Sequence, residues 1–92
     1  MTREKEIERY LVNKVKKAGG VAYKWVSPGN RGVPDRIILL NDRVLFAELK
    51  APGKKPSALQ RRIHDRMLSL GARVWVIDSK EQVDEFIRIF AN

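Results

Sequence analysis

Pro34-Asp35-Arg36-Ile37-Ile38-Leu39-Leu40-Asn41-Asp42-Arg43-Val44-Leu45-Phe46-Ala47-Glu48-Leu49-Lys50 is the stretch on which the fold turns. Two runs of apolar and β-branched residues flank the polar pair Asn41-Asp42, a combination that predicts a β-hairpin. Counting outward from that turn places position 35 roughly opposite positions 48 to 50. Alternate side chains share a face of an extended strand, so Val44, Phe46, Glu48 and Lys50 project together while Leu45, Ala47 and Leu49 point the other way. Glu48 thus falls on a strand that otherwise reads as buried, where a carboxylate is costly unless something compensates it. Asp35 and Lys50 are the charged groups that the hairpin brings to it.

Upstream, Ile7, Tyr10, Leu11, Val15 and Ala18 recur at helical spacing between Arg3 and Ala18, and Gly19-Gly20 closes the run. Val21 to Val26 is rich in strand formers and ends at the turn cluster Ser27-Pro28-Gly29-Asn30. Downstream, Ala51-Pro52-Gly53-Lys54-Lys55-Pro56 breaks the pattern before Ser57, which can cap a helix carrying Leu59, Ile63, Met67, Leu68 and Leu70 up to Gly71. A strand at Arg73 to Ile77 follows. Ser79 and Gln82 then open a last helix with Val83, Phe86, Ile87 and Phe90 on one face. The order α-β-β-β-α-β-α predicts a single α/β domain over residues 1–92, with no repeat or interdomain linker.

Composition narrows the function. The 92 residues hold 19 Lys plus Arg against 11 Asp plus Glu, a formal charge of +8 that suggests a polyanionic partner. Cysteine is absent and His64 is the one histidine, which excludes disulfide scaffolds, thiolate zinc sites and cysteine nucleophiles. A metal would have to be a hard cation held by oxygen, which points to Mg²⁺ or Mn²⁺. Apolar runs such as Val74 to Ile77 fall short of a membrane span and the first residues have no signal-peptide core, so a cytoplasmic protein with no membrane partner is expected.

Two carboxylates beside a lysine suit metal-assisted phosphodiester hydrolysis: Asp35 and Glu48 to hold the cation, Lys50 to steady the attacking water or the developing charge. The backbone carbonyl of Leu49 could add an oxygen ligand. The bland alternative is a solvated cross-strand charge cluster on a sheet edge. Asp78-Ser79-Lys80 repeats the acid-x-lysine pattern at the end of another strand, but it has no upstream acid, and helix capping explains it. His64 reads as a surface or boundary helix residue rather than a general base.

Gly32-Val33-Pro34-Asp35, Glu48-Leu49-Lys50 and Ser57-Ala58-Leu59-Gln60 together resemble the PD-(D/E)XK nuclease superfamily and, more closely, its virus-type replication-repair (VRR-NUC) family. The resemblance runs from the first helix to the closing one, and stand-alone chains of this length look like the phage members. It implies a restriction-endonuclease-like fold with a mixed central sheet. It also implies that Asp35, Glu48 and the Leu49 carbonyl ligate Mg²⁺ or Mn²⁺ and that Lys50 positions the nucleophilic water. The family brings a glutamate from the first helix toward the metal; Glu8 is the choice here, with Glu4, nearer the centre of the apolar stripe, as its rival. Gln60 matches a family glutamine that could bond water or phosphate. Ser57 and Gln60 also form a capping box, and both roles would require the side chain to swap partners.

Arg31 and Arg36 on one side, and Lys54, Lys55, Arg61, Arg62 and Arg66 on the other, form an expected phosphate track. No sequence-reading element accompanies it, which favours selection by DNA shape. Symmetric cutting of a four-way junction needs two active centres, and the stand-alone family members resemble the junction resolvases in this respect, so the resemblance implies a homodimer nicking Holliday junctions in DNA repair, with Trp25, Trp75 or the last helix to furnish the interface. The alternatives are a flap, fork or sequence-specific endonuclease of the same fold, or a non-catalytic basic module that binds nucleic acid.

Overall fold

Asn41 and Asp42 both adopt left-handed φ, 52° and 61°. This is the two-residue turn whose twist matches that of the strands it joins. It links β2 (Arg36–Leu40) to β3 (Arg43–Leu49) in an antiparallel register running from Leu40↔Arg43 to Arg36↔Ala47. The next step of that register sets Asp35 opposite Glu48, as the sequence predicts. The computed structural model describes residues 3–92, so Met1 and Thr2 of the domain expected over 1–92 lie outside the described residues.

The remaining elements are α1 (Glu4–Lys17), β1 (Val21–Lys24), α2 (Ala58–Ser69), β4 (Val74–Ile77) and α3 (Lys80–Phe90), in the expected order. The four-stranded sheet runs β1-β2-β3-β4. It is mixed, because β3 pairs with β4 in parallel, the crossover between them being α2. β1 stops two residues short of the expected Val26, although Trp25 N still donates to the Asp35 carbonyl at 2.9 Å. The chain there turns away into Ser27-Pro28, and proline has no amide to extend a ladder.

One sheet face carries the core. Ile38 and Leu40 of β2, Leu45, Ala47 and Leu49 of β3 and Ile77 of β4 bury against Ile7, Leu11 and Val15 of α1 and against Val83 and Phe86 of α3. Trp75 joins them, its ring 6.0 Å from Phe86 and 5.2 Å from Phe90, which commits it to packing within the chain. α1 ends at Gly19-Gly20, where a Cβ on Gly20 would run into the Leu39 carbonyl oxygen and Leu40 Cδ1, so the chain passes against β2 only as glycine.

α2 lies on the opposite face and covers only the Glu48 end of it. Val44 at 61% and Tyr23 at 58% exposure leave the far end open, while Trp25 packs on Phe46 at 5.6 Å between ring centres. The apolar positions expected to seat α2 are divided: Leu59, Leu68 and Leu70 are exposed, and the residue the helix buries is His64. Gln60 and His64 face the buried Glu48 carboxylate beneath the helix, with Ile63 and Met67 half-buried beside them. No helix among the described residues is long and apolar enough to cross a membrane.

Candidate active site

Glu48 sits on β3 between β2 and β4 and is 2% exposed. That placement removes the solvated-edge alternative. Gln60 Nε2 donates to its Oε2 at 3.1 Å, and Lys50 Nζ lies 3.6 Å from the same oxygen. Oε1 faces His64 Nε2 at 3.8 Å, beyond hydrogen-bond length. Among the described residues, these two are the buried side-chain polar atoms left without a partner. One carboxylate oxygen is thus engaged and the other is buried without a hydrogen-bond partner.

Asp35 closes the arrangement. Its Oδ2 accepts the Leu49 amide at 2.8 Å, which fixes the side chain against β3. Amide and carbonyl of one strand residue project to the same edge, so the Leu49 carbonyl lies on the side of Asp35. Burial, and after it the Asp35 charge, raise the Glu48 carboxyl to about 7, with Lys50 offsetting part of the effect. Burial likewise lowers the His64 imidazole below its ordinary value and favours its neutral form.

Two carboxyls this crowded call for a proton or a cation between them. The free Oε1 of Glu48, the second oxygen of Asp35 and the Leu49 carbonyl are hard oxygen donors of the kind Mg²⁺ and Mn²⁺ accept. Among the described residues no set of three acidic, His or Cys side chains is arranged as a ligand cage. The remaining coordination positions would fall to carbonyl, water and substrate oxygens, as is usual for Mg²⁺.

No protein-family model matches the chain. A protein of Acyrthosiphon pisum secondary endosymbiont phage 1, named "Putative nuclease p44", is 52% identical over 82 residues, which are 88% of this chain and 88% of that protein. A solved structure described as a VRR_NUC domain superposes with a TM-score of 0.86 at 32% identity, covering 96% of this chain and 97% of that one. The chain belongs to the VRR-NUC family. It is a nuclease of the VRR-NUC type, with the mixed α/β fold that the resemblance implied.

Within this VRR-NUC domain Asp35, Glu48, Lys50 and Gln60 come together, and the Gln60 side chain does so without exchanging partners. Its Oε1 accepts the Ser57 amide at 2.9 Å while its Nε2 reaches Glu48, so one amide caps α2 and binds the carboxylate at once. The expected competition between the two roles is absent because they use opposite ends of the group. Glu8 is placed elsewhere: Arg36 Nε donates to it at 2.8 Å, and Arg36 Nη1 also reaches the Ala22 carbonyl at 3.1 Å. Of the α1 glutamates, Glu4 is the one whose charge is felt at Glu48. The same bonds make Arg36 the one residue of the expected phosphate track that is engaged within the chain among the described residues. Arg31, Lys54, Lys55, Arg61, Arg62 and Arg66 remain exposed on the loops and on α2 around the VRR-NUC site, with no ion pair among the described residues.

Two further placements were not read from the sequence. Gly32, at φ +92°, lies where a Cβ would crowd Ile63 Cγ1 at 3.1 Å and Leu59 at 3.3 Å, so it seats the loop on α2. His64 is buried at 9% and directed at Glu48 rather than exposed. The signal for it was spacing, since His64 follows Gln60 by four residues and shares its helix face. Asp78 of the acid-x-lysine decoy holds the Gly53 amide at 3.1 Å, and Ser79 caps α3 through the Gln82 amide.

Proposed function

We propose that this VRR-NUC nuclease is a divalent-metal-dependent DNA endonuclease selective for branched DNA such as Holliday junctions, with one nuclease domain per chain and two chains acting as a homodimer. The observation that carries the reading is the half-engaged Glu48 carboxylate: buried, crowded by Asp35, bonded through Oε2 and unpartnered at Oε1. Glu48, Asp35 and the Leu49 carbonyl would hold Mg²⁺ or Mn²⁺, with Glu4 rather than Glu8 as the acid approaching from α1. When bound, the cation neutralises charge building on the phosphate and makes water a better nucleophile at neutral pH.

The chain's own groups do the rest. Lys50 Nζ, held 3.6 Å from Glu48, orients the attacking water and stabilises negative charge on the phosphate oxygens. Gln60 fixes the plane of the Glu48 carboxylate. The water oxygen bonds to phosphorus and gives up one proton to solvent, the phosphorus–oxygen bond to the leaving sugar breaks, and the leaving oxygen takes up one proton from solvent, so that one water is consumed per bond cut. Arg31, Lys54, Lys55, Arg61, Arg62 and Arg66 contact phosphates, which gives affinity without reading bases. A twofold pair of such centres suits the symmetry of a four-way junction.

The test is incubation of the purified protein with linear duplex, flap, fork and four-way junction DNA, with and without Mn²⁺. The expected outcome is metal-dependent nicking of the branched substrates, lost in Asp35→Asn and Lys50→Ala while DNA binding persists. Cleavage unchanged in both variants would remove the assignment. Preferential flap cutting by a monomer would replace the junction reading, and salt-sensitive binding with no product would mark a non-catalytic module.

A further inference from the structure

Gln60 and His64 stand one helical turn apart on α2 and address different oxygens of the same buried carboxylate. Gln60 is bonded to Oε2. His64 Nε2 is 3.8 Å from Oε1, and both of those atoms are buried and unpartnered. Two buried polar atoms facing one another across a gap slightly too long for a bond are a costly arrangement unless a small movement, or a third group, completes it. The His64 side chain is 10% exposed, so its burial argues against a role in contacting DNA.

We propose that His64 is a positioning residue for Glu48. Its Nε2–H steers Oε1, directly after a shift of under about 1 Å or through one bridging water, so that Gln60 and His64 together fix the carboxylate in both in-plane directions. The inference rests on the reading of Glu48 as a metal ligand. A histidine or amide behind a ligating carboxylate sets the direction of its lone pairs, and groups in such places typically change metal affinity by about 10–100-fold when removed. Imidazole presents its donor at a fixed distance from the helix. Of the amide side chains, glutamine reproduces the Nε2 position and asparagine falls one methylene short.

The experiment measures Mn²⁺ binding by calorimetry to the full chain carrying His64→Phe, His64→Gln or His64→Asn, with thermal melting of each variant in chelator to establish that it folds. Wild-type protein should bind Mn²⁺ in a manner abolished by Glu48→Gln. His64→Phe and His64→Asn should weaken binding roughly tenfold or more, and His64→Gln should stay within a few-fold of wild type. A residue that merely filled space would give the reverse order, with phenylalanine tolerated and both amides equally poor. Wild-type affinity in His64→Phe and His64→Asn overturns the role of His64 while leaving the metal site standing. Absence of Mn²⁺ binding by the wild-type protein removes the metal reading and this inference with it. If His64→Phe fails to melt cooperatively, the contrast between the glutamine and asparagine variants decides, and equal affinities in those two overturn the proposal.

Discussion

Gln60 links the stability of a helix to the geometry of a carboxylate through the two ends of one amide. Gln82 provides an internal control, because it sits at the equivalent position of α3, with its Oε1 taking the Asp78 amide at 2.7 Å and its own amide capped by Ser79. Gln60→Ala and Gln82→Ala should each lower stability by about 0.5–2 kcal/mol in denaturant titrations. Only the first should reduce cleavage, and equal activity in the two variants would show that the Gln60–Glu48 bond is idle. Glu48 itself sets a pH dependence. Its carboxyl is raised from 4.5 to about 7 in the folded chain, so below 4.5 both folded and unfolded states hold the proton and no penalty applies. Between those values unfolding releases a proton, and stability falls as pH rises until the folded carboxyl has ionised. In chelator, denaturant midpoints should decline across this window in the wild-type protein and flatten in Glu48→Gln. Added Mn²⁺ should restore the loss above pH 7.

At the level of elements, the hairpin was legible because its turn, its apolar runs and its register are all local. Asn41-Asp42 fixes the count that puts Asp35 opposite Glu48, and no tertiary information is needed. What α2 does was not legible. Leu59, Leu68 and Leu70 suggested an apolar seat, yet the face a helix turns inward depends on what lies beneath, and here that is a carboxylate on a strand distant in sequence. The same limit applied to α1. Glu4 and Glu8 are one turn apart, and what distinguishes them in the structure is Arg36 on β2, which binds Glu8. The junction of α1 with β1 makes a sharper demand. Because a Cβ on Gly20 would meet the Leu39 backbone as well as two side chains, Gly20→Ala should destabilise the fold by about 1–3 kcal/mol. Gly19→Ala meets no neighbour and tests backbone strain alone at φ +91°. Thermal melts comparing the two separate crowding from strain, and an unshifted melting temperature in Gly20→Ala would contradict the packing described.

Across the whole molecule the +8 charge is unevenly spread: Arg31, Lys54, Lys55, Arg61, Arg62 and Arg66 are exposed on the loops and on α2, while the acid Glu48 is buried beneath that helix. The core face of the sheet is closed by α1 and α3, whereas the face bearing the site is covered by α2 at one end only. α1 anchors itself with Ile7, Leu11 and Val15, but α2 has only His64 buried. A helix with so little fully buried apolar surface is expected to open locally at lower cost than α1. Its closed population is therefore thermodynamically linked to whatever occupies Glu48, and linkage runs both ways. Backbone amides of α2 should exchange with deuterium faster than those of α1 in chelator and slow markedly when Mn²⁺ is added; exchange indifferent to Mn²⁺ would deny the coupling. By reciprocity, loosening the Ser57 cap, which reaches Glu48 only through the Gln60 amide, should weaken Mn²⁺ binding, so that this nuclease could be tuned from the end of a helix without changing a proposed ligand.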